Sequence, residues 1–274
     1  MESPGEPPSP ESVRRLLDAI AAGGPGLVAL SGGVDSALVA SLAAEALGSR
    51  AFAVTLSGPA VTGAEVERAR EVARSIGIRH EVRPVDPLRL PQYRANPTNR
   101  CFFCRTAESE VLREVGGARG AAQYLDGIHA DDLSDDRPGI TAMDRAGFVH
   151  PLAQAGWGKR PVRALARARG LPNWDAPSDA CLASRIRHGQ PIDRELLARI
   201  ERAEARVRSE GFRQVRVRVD GHAARIEVEP EEVARLARAA AEGRLLGDLR
   251  ALGFAEVTID PRGYGAARTA LARS

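Results

Sequence analysis

The chain has 274 residues, 43% of them hydrophobic, enough to bury the core of one large domain or two modest ones, which excludes wholesale disorder. The formal charge of +3 and pI near 9.0 come from interleaved acids and bases, a balance that suits anionic ligands and does not call for nucleic acid. No apolar run reaches membrane-span length, and three cysteines exclude a complete disulfide framework, so the expectation is a cytoplasmic protein with metal-binding or reactive thiols.

Residues 1–10, "MESPGEPPSP", are acidic and proline-rich, the opposite of a signal peptide, and read as a disordered tail. "ESVRRLLDAIAAGG" then repeats its apolar positions at helical spacing and stops at glycines. "GLVAL" is a short buried strand, "DSALVASLAAEALG" a helix ending at Gly48, "AFAVTL" a strand, and "GAEVERAREVARSIG" a helix. "RHEVRPV" is a further strand, "AESEVLREVGG" a helix, and "AAQYLDG" a strand that ends in a turn. Strands alternating with helices imply a parallel sheet covered on both faces, an α/β domain over 11–188. Such sheets bind ligands at the carboxyl ends of their strands, where "ALSGGVDS" lies. After "HGQP" the rhythm changes. "DRELLARIERAEARVRSEG" is a long amphipathic helix, and "QVRVRVD" and "AARIEVE" alternate with period two. "PEEVARLARAA" is a helix begun by Pro230, and "AEVTID" a closing strand. Residues 189–274 therefore read as a smaller α+β domain.

Gly32 and Gly33 let the backbone turn sharply and bring N–H groups up to an oxyanion. Ser31 and Ser36 add hydroxyls, and the helix that starts near Val34 points its positive end at the same spot. No lysine follows the glycines, so this is not a Walker loop. The competing reading is a bare strand-to-helix turn. S-G-G-x-D-S instead resembles the PP-loop of the ATP pyrophosphatases, which cleave ATP between its α and β phosphates. That resemblance implies ATP and Mg2+, with Asp35 holding the metal or ordering the loop.

Cys101 and Cys104 form "RCFFC", and Cys181 lies in "SDACLASR". For C-x-x-C alone, zinc, a redox pair and chance compete. A zinc would want a fourth ligand such as His188, and a thioredoxin-like pair a different framework. Three thiolates that leave one position open suit a 4Fe–4S cluster with one uncommitted iron.

The segments "SGGVDS", "NRCFFCRT", "DGIHADDLSDDRPG", "HPLAQAGWGKRPVRALARARGLPNWDAPSDACLASRI", "VRVRVDGHAARIEVEP" and "FAEVTIDPRGYGAAR" resemble, in order and spacing, the LarE family, with "RGYGAAR" the loosest match. The resemblance implies an ATP-dependent sulfur transferase of nickel-pincer cofactor biosynthesis. Such enzymes adenylate the carboxylates of pyridinium-3,5-biscarboxylic acid mononucleotide and convert them to thiocarboxylates. One family form sacrifices a single cysteine, at the position of Cys181. The other holds a 4Fe–4S cluster on three, and a chain with the pair and no spare cysteine resembles that cluster form, fed by a sulfide donor. Ser184 and Arg185 would line the pocket of Cys181, and Glu204 holds a family active-site position on the long helix, where a surface glutamate is the plain alternative. Arg216 and Arg218 share a strand face. The family binds the mononucleotide phosphate there, near a subunit interface; the plain alternative is a solvated sheet edge. A homo-oligomer is likewise implied.

Asp126 and Gly127 end a strand where base and ribose would lie, or simply make a turn. Asp131 and Asp132 are metal candidates or exposed loop carboxylates. Lys159, the one lysine among 39 basic residues, suits phosphate or solvent equally, and the histidines show no ligand spacing. Competing functions are a tRNA thiolase, an amidotransferase-type synthetase that leaves the cysteines idle, and a non-catalytic nucleotide-binding scaffold with structural zinc. A tRNA thiolase would want an RNA-binding module or a stronger basic stripe.

Overall fold

The computed structural model describes residues 5–134, 138–177 and 180–265. In chain order the helices are α1 (Pro10–Ala22), α2 (Val34–Leu47), α3 (Gly63–Ile76), α4 (Pro91–Arg94), α5 (Arg100–Ala118), α6 (Pro138–Arg145), α7 (Pro151–Gln154), α8 (Lys159–Ala168), α9 (Arg194–Arg208), α10 (Val233–Glu242) and α11 (Leu245–Ala251). The strands are β1 (Gly26–Ala29), β2 (Ala51–Ser57), β3 (Arg79–Pro84), β4 (Gln123–Leu125), β5 (Phe148–Val149), β6 (Val215–Asp220), β7 (Ala223–Val228) and β8 (Glu256–Ile259).

Contacts divide these elements into two units. The first runs to Tyr93 and resumes from Asn99 to 177; the second joins Arg94–Thr98 to the described residues from Ala180. The first unit is the expected α/β domain. Its five parallel strands run in the order β3-β2-β1-β4-β5. "GLVA" and "AFAVTLS" are apolar without alternation because helices cover both faces. Successive residues feed opposite cores: Val28 and Ala53 pack with α1, α2 and α8, whereas Leu27, Phe52 and Val54 pack with Leu112 and Val115 of α5. Helix α2 is apolar nearly all round and buries ten of its residues, as a helix enclosed on every side must. Between β1 and β4 the strand order reverses direction from the start of the sheet, which leaves a crevice at their carboxyl ends.

The second unit carries a three-stranded sheet, β6-β7-β8, antiparallel then parallel, with α9 packed on β6. Residues 180–188 group by sequence rhythm with the first domain, yet their bonds lie in the second unit. Ile186 bridges Val219, and the Asn96 side chain donates to the carbonyls of Arg187 (2.9 Å) and Gln190 (3.0 Å).

Two further boundaries differ from expectation. Helix α1 begins at Pro10, inside the expected tail, because the Ser9 hydroxyl accepts from Ser12 N–H (3.2 Å) and caps it; residues 1–4 of that tail lie outside the described residues. Helix α5 begins at Arg100 and so includes both cysteines of the C-x-x-C, which lie ahead of the apolar pattern that marks its later turns. Among the described residues, no helix is long and apolar enough to cross a membrane.

Candidate active site

Strand β1 delivers Ser31 to the carboxyl edge of the sheet, and the chain turns at Gly32, whose φ of 81° is the left-handed region. A side chain there would also collide, since a Cβ would lie 2.7 Å from Glu65 O. The two serines close the turn on itself. The Ser36 hydroxyl donates to Gly33 O (3.1 Å), accepts from Ser31 N–H (3.1 Å) and lies 3.0 Å from the Ser31 hydroxyl. The first bond within α2 runs from Ala37 N–H to Gly33 O (3.0 Å), so the N–H groups of Val34, Asp35 and Ser36 stand ahead of it, available to an anion. Asn173, buried, donates from its amide to Gly32 O (2.8 Å) and ties down the turn from outside.

A cavity of about 270 Å³ opens over this loop. Its polar floor comprises Ser31, Asp35, Ser36 and Asp126; its apolar wall includes Val54, Leu56, Val61 and Ile128. Gly127 closes against the loop so tightly that a Cβ would lie 2.5 Å from Ser36 N. The structure therefore brings Ser31, Gly32, Gly33, Asp35, Ser36 and Gly127 together. That is an anion cradle beside an apolar slot, the shape a nucleotide needs. Oxygen donors suited to a hard divalent cation, Asp35 and Asp132, face the same cavity.

Four pairings around this cavity are not legible in the sequence. Lys159 is not a free surface lysine: its ammonium lies 2.7 and 2.5 Å from the two carboxylate oxygens of Asp35. Asp126 accepts from Ile128 N–H (3.1 Å) and pairs with His150 Nδ1 (2.7 Å), while His150 Nε2 meets Asp144 (3.0 Å). Burial alone would lower the His150 pKa, but the bonds and charges of the two aspartates outweigh it and raise the value above 6.5. Asn173 is the third feature, and no spacing announces it. The fourth is on α5, where Cys104 Sγ donates to Glu108 (3.3 Å), and Glu108 and Arg105, themselves paired at 2.9 Å, line the cavity. Cys101, one turn from Cys104, is exposed and Cys104 half-buried.

In the second unit a different cluster forms. Arg185 and Glu204 are buried and bidentate, Nε to Oε1 at 2.7 Å and Nη2 to Oε2 at 3.1 Å. Glu204 also accepts from Val217 N–H (3.1 Å) and Arg208 (2.9 Å). The remaining Arg185 nitrogen holds the cysteine turn, donating to the carbonyls of Ala180 and Cys181 (3.0 Å for the latter) and to the Ser184 hydroxyl (3.0 Å). Glu204 is thus no surface glutamate. It anchors the arginine that shapes the Cys181 turn. Arg218 donates to Ser184 O (2.8 Å) and Glu227 (3.0 Å) and faces a cavity of about 100 Å³ with Arg225. Arg216, 1% exposed, packs over the Tyr264 ring at 5.3 Å, so the plain reading of a solvated edge does not apply to it.

A family model for asparagine synthase matches residues 11–95, the stretch that contains the loop and the first three strands. The pyridinium-3,5-bisthiocarboxylic acid mononucleotide synthase of Lactiplantibacillus plantarum is 31% identical over 242 residues, 88% of this chain and 87% of that protein. The chain belongs to the LarE family. An uncharacterised Synechocystis protein is 41% identical over 238 residues, 87% of this chain and 89% of that one. A glutamine-hydrolysing GMP synthase of Aeropyrum pernix is 31% identical over 223 residues, 73% of this chain but 41% of that protein. The LarE-like chain is accordingly a PP-loop ATP pyrophosphatase by family, and the match to the L. plantarum synthase is long enough to span both units, whereas the asparagine synthase model stops at residue 95.

Among the described residues no three His, Cys, Asp or Glu side chains group as metal ligands. Cys101 and Cys104 lie a turn apart on α5 and Cys181 belongs to the second unit, and all three are present as thiols.

Proposed function

We propose that the protein is an ATP-dependent sulfur transferase acting on pyridinium-3,5-biscarboxylic acid mononucleotide. A substrate carboxylate oxygen attacks the α phosphorus of ATP; the bond to the bridging oxygen breaks and its electron pair leaves with pyrophosphate. The acyl adenylate then takes hydrosulfide at its carbonyl carbon and expels AMP, which leaves a thiocarboxylate. The chain's own residues divide these tasks. Ser31, Gly32, Gly33 and Ser36 with the first turn of α2 hold the pyrophosphate, Asp35 meets Mg2+, and Gly127 admits the nucleoside. In the second unit Arg185 and Glu204 set the Cys181–Ser184 turn; of the arginine pair proposed for the mononucleotide phosphate, Arg218 faces the small cavity, whereas Arg216 is buried and must turn outward to reach it. Cys101, Cys104 and Cys181 are the proposed ligands of a 4Fe–4S cluster, which when bound would supply an iron that carries sulfide. A symmetric homo-oligomer belongs to the same reading.

One observation supports it most. Helix α5 contributes both the paired cysteines and a wall of the nucleotide cavity, joined through Glu108. A nucleotide-binding scaffold without metal or sulfur chemistry has no use for thiols in that place. The test is anaerobic incubation with ATP, Mg2+, sulfide and the biscarboxylate, followed by mass spectrometry. Expected are pyrophosphate and a product with sulfur in place of oxygen in its carboxylates. Ser36→Ala, which removes the hydroxyl that closes the turn but touches neither hydrophobic core, stays folded and releases no pyrophosphate. Wild-type release from that folded variant would sink the assignment.

A further inference from the structure

In a chain whose basic residues are otherwise all arginine, the single lysine lies on the PP-loop aspartate. Lys159 opens α8, and its own N–H donates to Asp131 (2.7 Å), so a carboxylate from the segment after β4 fixes where that helix starts. Asp35 presents a difficulty that this lysine resolves. Its carboxylate belongs to the first turn of α2, beside the N–H groups that must receive a polyanion. Left uncompensated, it would repel the phosphates those groups attract. An ammonium is a compact point charge that a hydrated divalent cation can replace on a carboxylate. A guanidinium would grip the same carboxylate with two directional bonds and release it reluctantly.

We propose that Lys159 is the resident counter-ion of Asp35, displaced when Mg-ATP binds. The metal takes over the carboxylate, and the released ammonium turns to the phosphates. This rests on the ATP reading of the loop. It explains why lysine stands at this position while arginine serves everywhere else.

The test uses Mn2+ alone as the probe, titrated into the full chain without ATP and followed by electron paramagnetic resonance. Lys159→Met removes the competing cation, so Mn2+ should bind at least about fivefold tighter than to wild type. Lys159→Met combined with Asp35→Asn should lose that gain. Lys159→Arg keeps the charge and the pairing, so it should bind Mn2+ no tighter than wild type and bind Mg-ATP roughly tenfold more weakly. A lysine that merely ties α8 to α2 predicts the opposite: no gain in Mn2+ affinity for Lys159→Met, and wild-type Mg-ATP binding for Lys159→Arg. Either result overturns the proposal, and the arginine arm decides it should the methionine variant fail to fold. If wild type binds no ATP while the Mn2+ gain appears, the ATP reading fails and the counter-ion stands.

Discussion

Gly127 carries no side chain because none fits. A Cβ there would lie 2.5 Å from Ser36 N and 2.9 Å from the carbonyl carbon of Asp35, both backbone atoms of the glycine–serine turn and its helix start. Backbone cannot swing aside as the tip of a flexible side chain can. Gly127→Ala should therefore shift the first turn of α2 or the segment after β4, at a cost of about 1–3 kcal/mol in stability. Calorimetry should show ATP affinity falling roughly tenfold or more. A variant with wild-type affinity would mean that the close approach serves packing alone. His150 acts from one layer further out. Facing a carboxylate at each nitrogen, its ring can donate at both only as the imidazolium. Its pKa is raised in the folded state, so its contribution to stability is full below the unfolded value of 6.5 and is lost as pH rises through the folded one. The thermal-stability gap between wild type and His150→Gln should be widest below pH 6.5 and narrow as pH rises above it. A gap that stays constant would show an uncharged ring. His80, whose pKa is lowered first by burial and then by the Arg70 charge, works in the other direction, so the comparison must be with this single variant and not with the bulk pH profile.

At the scale of elements, the Arg185–Glu204 pair joins α9 to the short turn that carries Cys181. Both side chains are buried, so removing one strands the charge of the other. Glu204→Ala should cost about 3–5 kcal/mol in chemical denaturation, with Glu204→Gln milder because it still accepts from Arg185. A stable Glu204→Ala protein would return the residue to a purely chemical role. None of this pairing was visible in the sequence. Glu204 and Arg185 are nineteen positions apart, and neither helical nor strand periodicity links them. The first domain was far more legible, because unbroken apolar runs such as "GLVA" report strands buried on both faces and the glycine–serine turn reports its own conformation. The start of α5 is illegible for the opposite reason: "RCFFCRT" lacks the continuous polar face that marks a surface helix, so its first turns carry no helical signature. The capping box of α3, Thr62 with Glu65, is a start signal that was present and local. Lys159 on Asp35 and Asn173 on Gly32 are tertiary pairings across long separations, and a single sequence holds no record of those.

For the whole molecule, the proposed reaction turns on how sulfur would reach the acyl adenylate, and the thiols are distributed so that one variant can answer it. Cys101 and Cys104 belong to the first unit and Cys181 to the second. A cluster held by all three requires both units, consumes no residue and turns over as long as sulfide is supplied. Anaerobically prepared protein should then contain about four irons per chain. A sacrificial route needs Cys181 alone, acts once per chain and leaves dehydroalanine there, with a mass loss of hydrogen sulfide. Cys104 is a poor discriminator, because its thiol donates to Glu108 on the wall of the larger cavity, so its loss would disturb the proposed ATP site as well. Cys181 is required on either route. Cys101 is exposed, and replacing it should change stability by no more than about 0.5 kcal/mol, so any loss of activity cannot be blamed on unfolding. The proposed cluster predicts that Cys101→Ala folds, binds ATP normally, and loses iron and thiocarboxylate formation together. Full single-turnover activity in that variant, with sulfur missing from Cys181 in the mass spectrum afterwards, would show that this chain supplies its own sulfur.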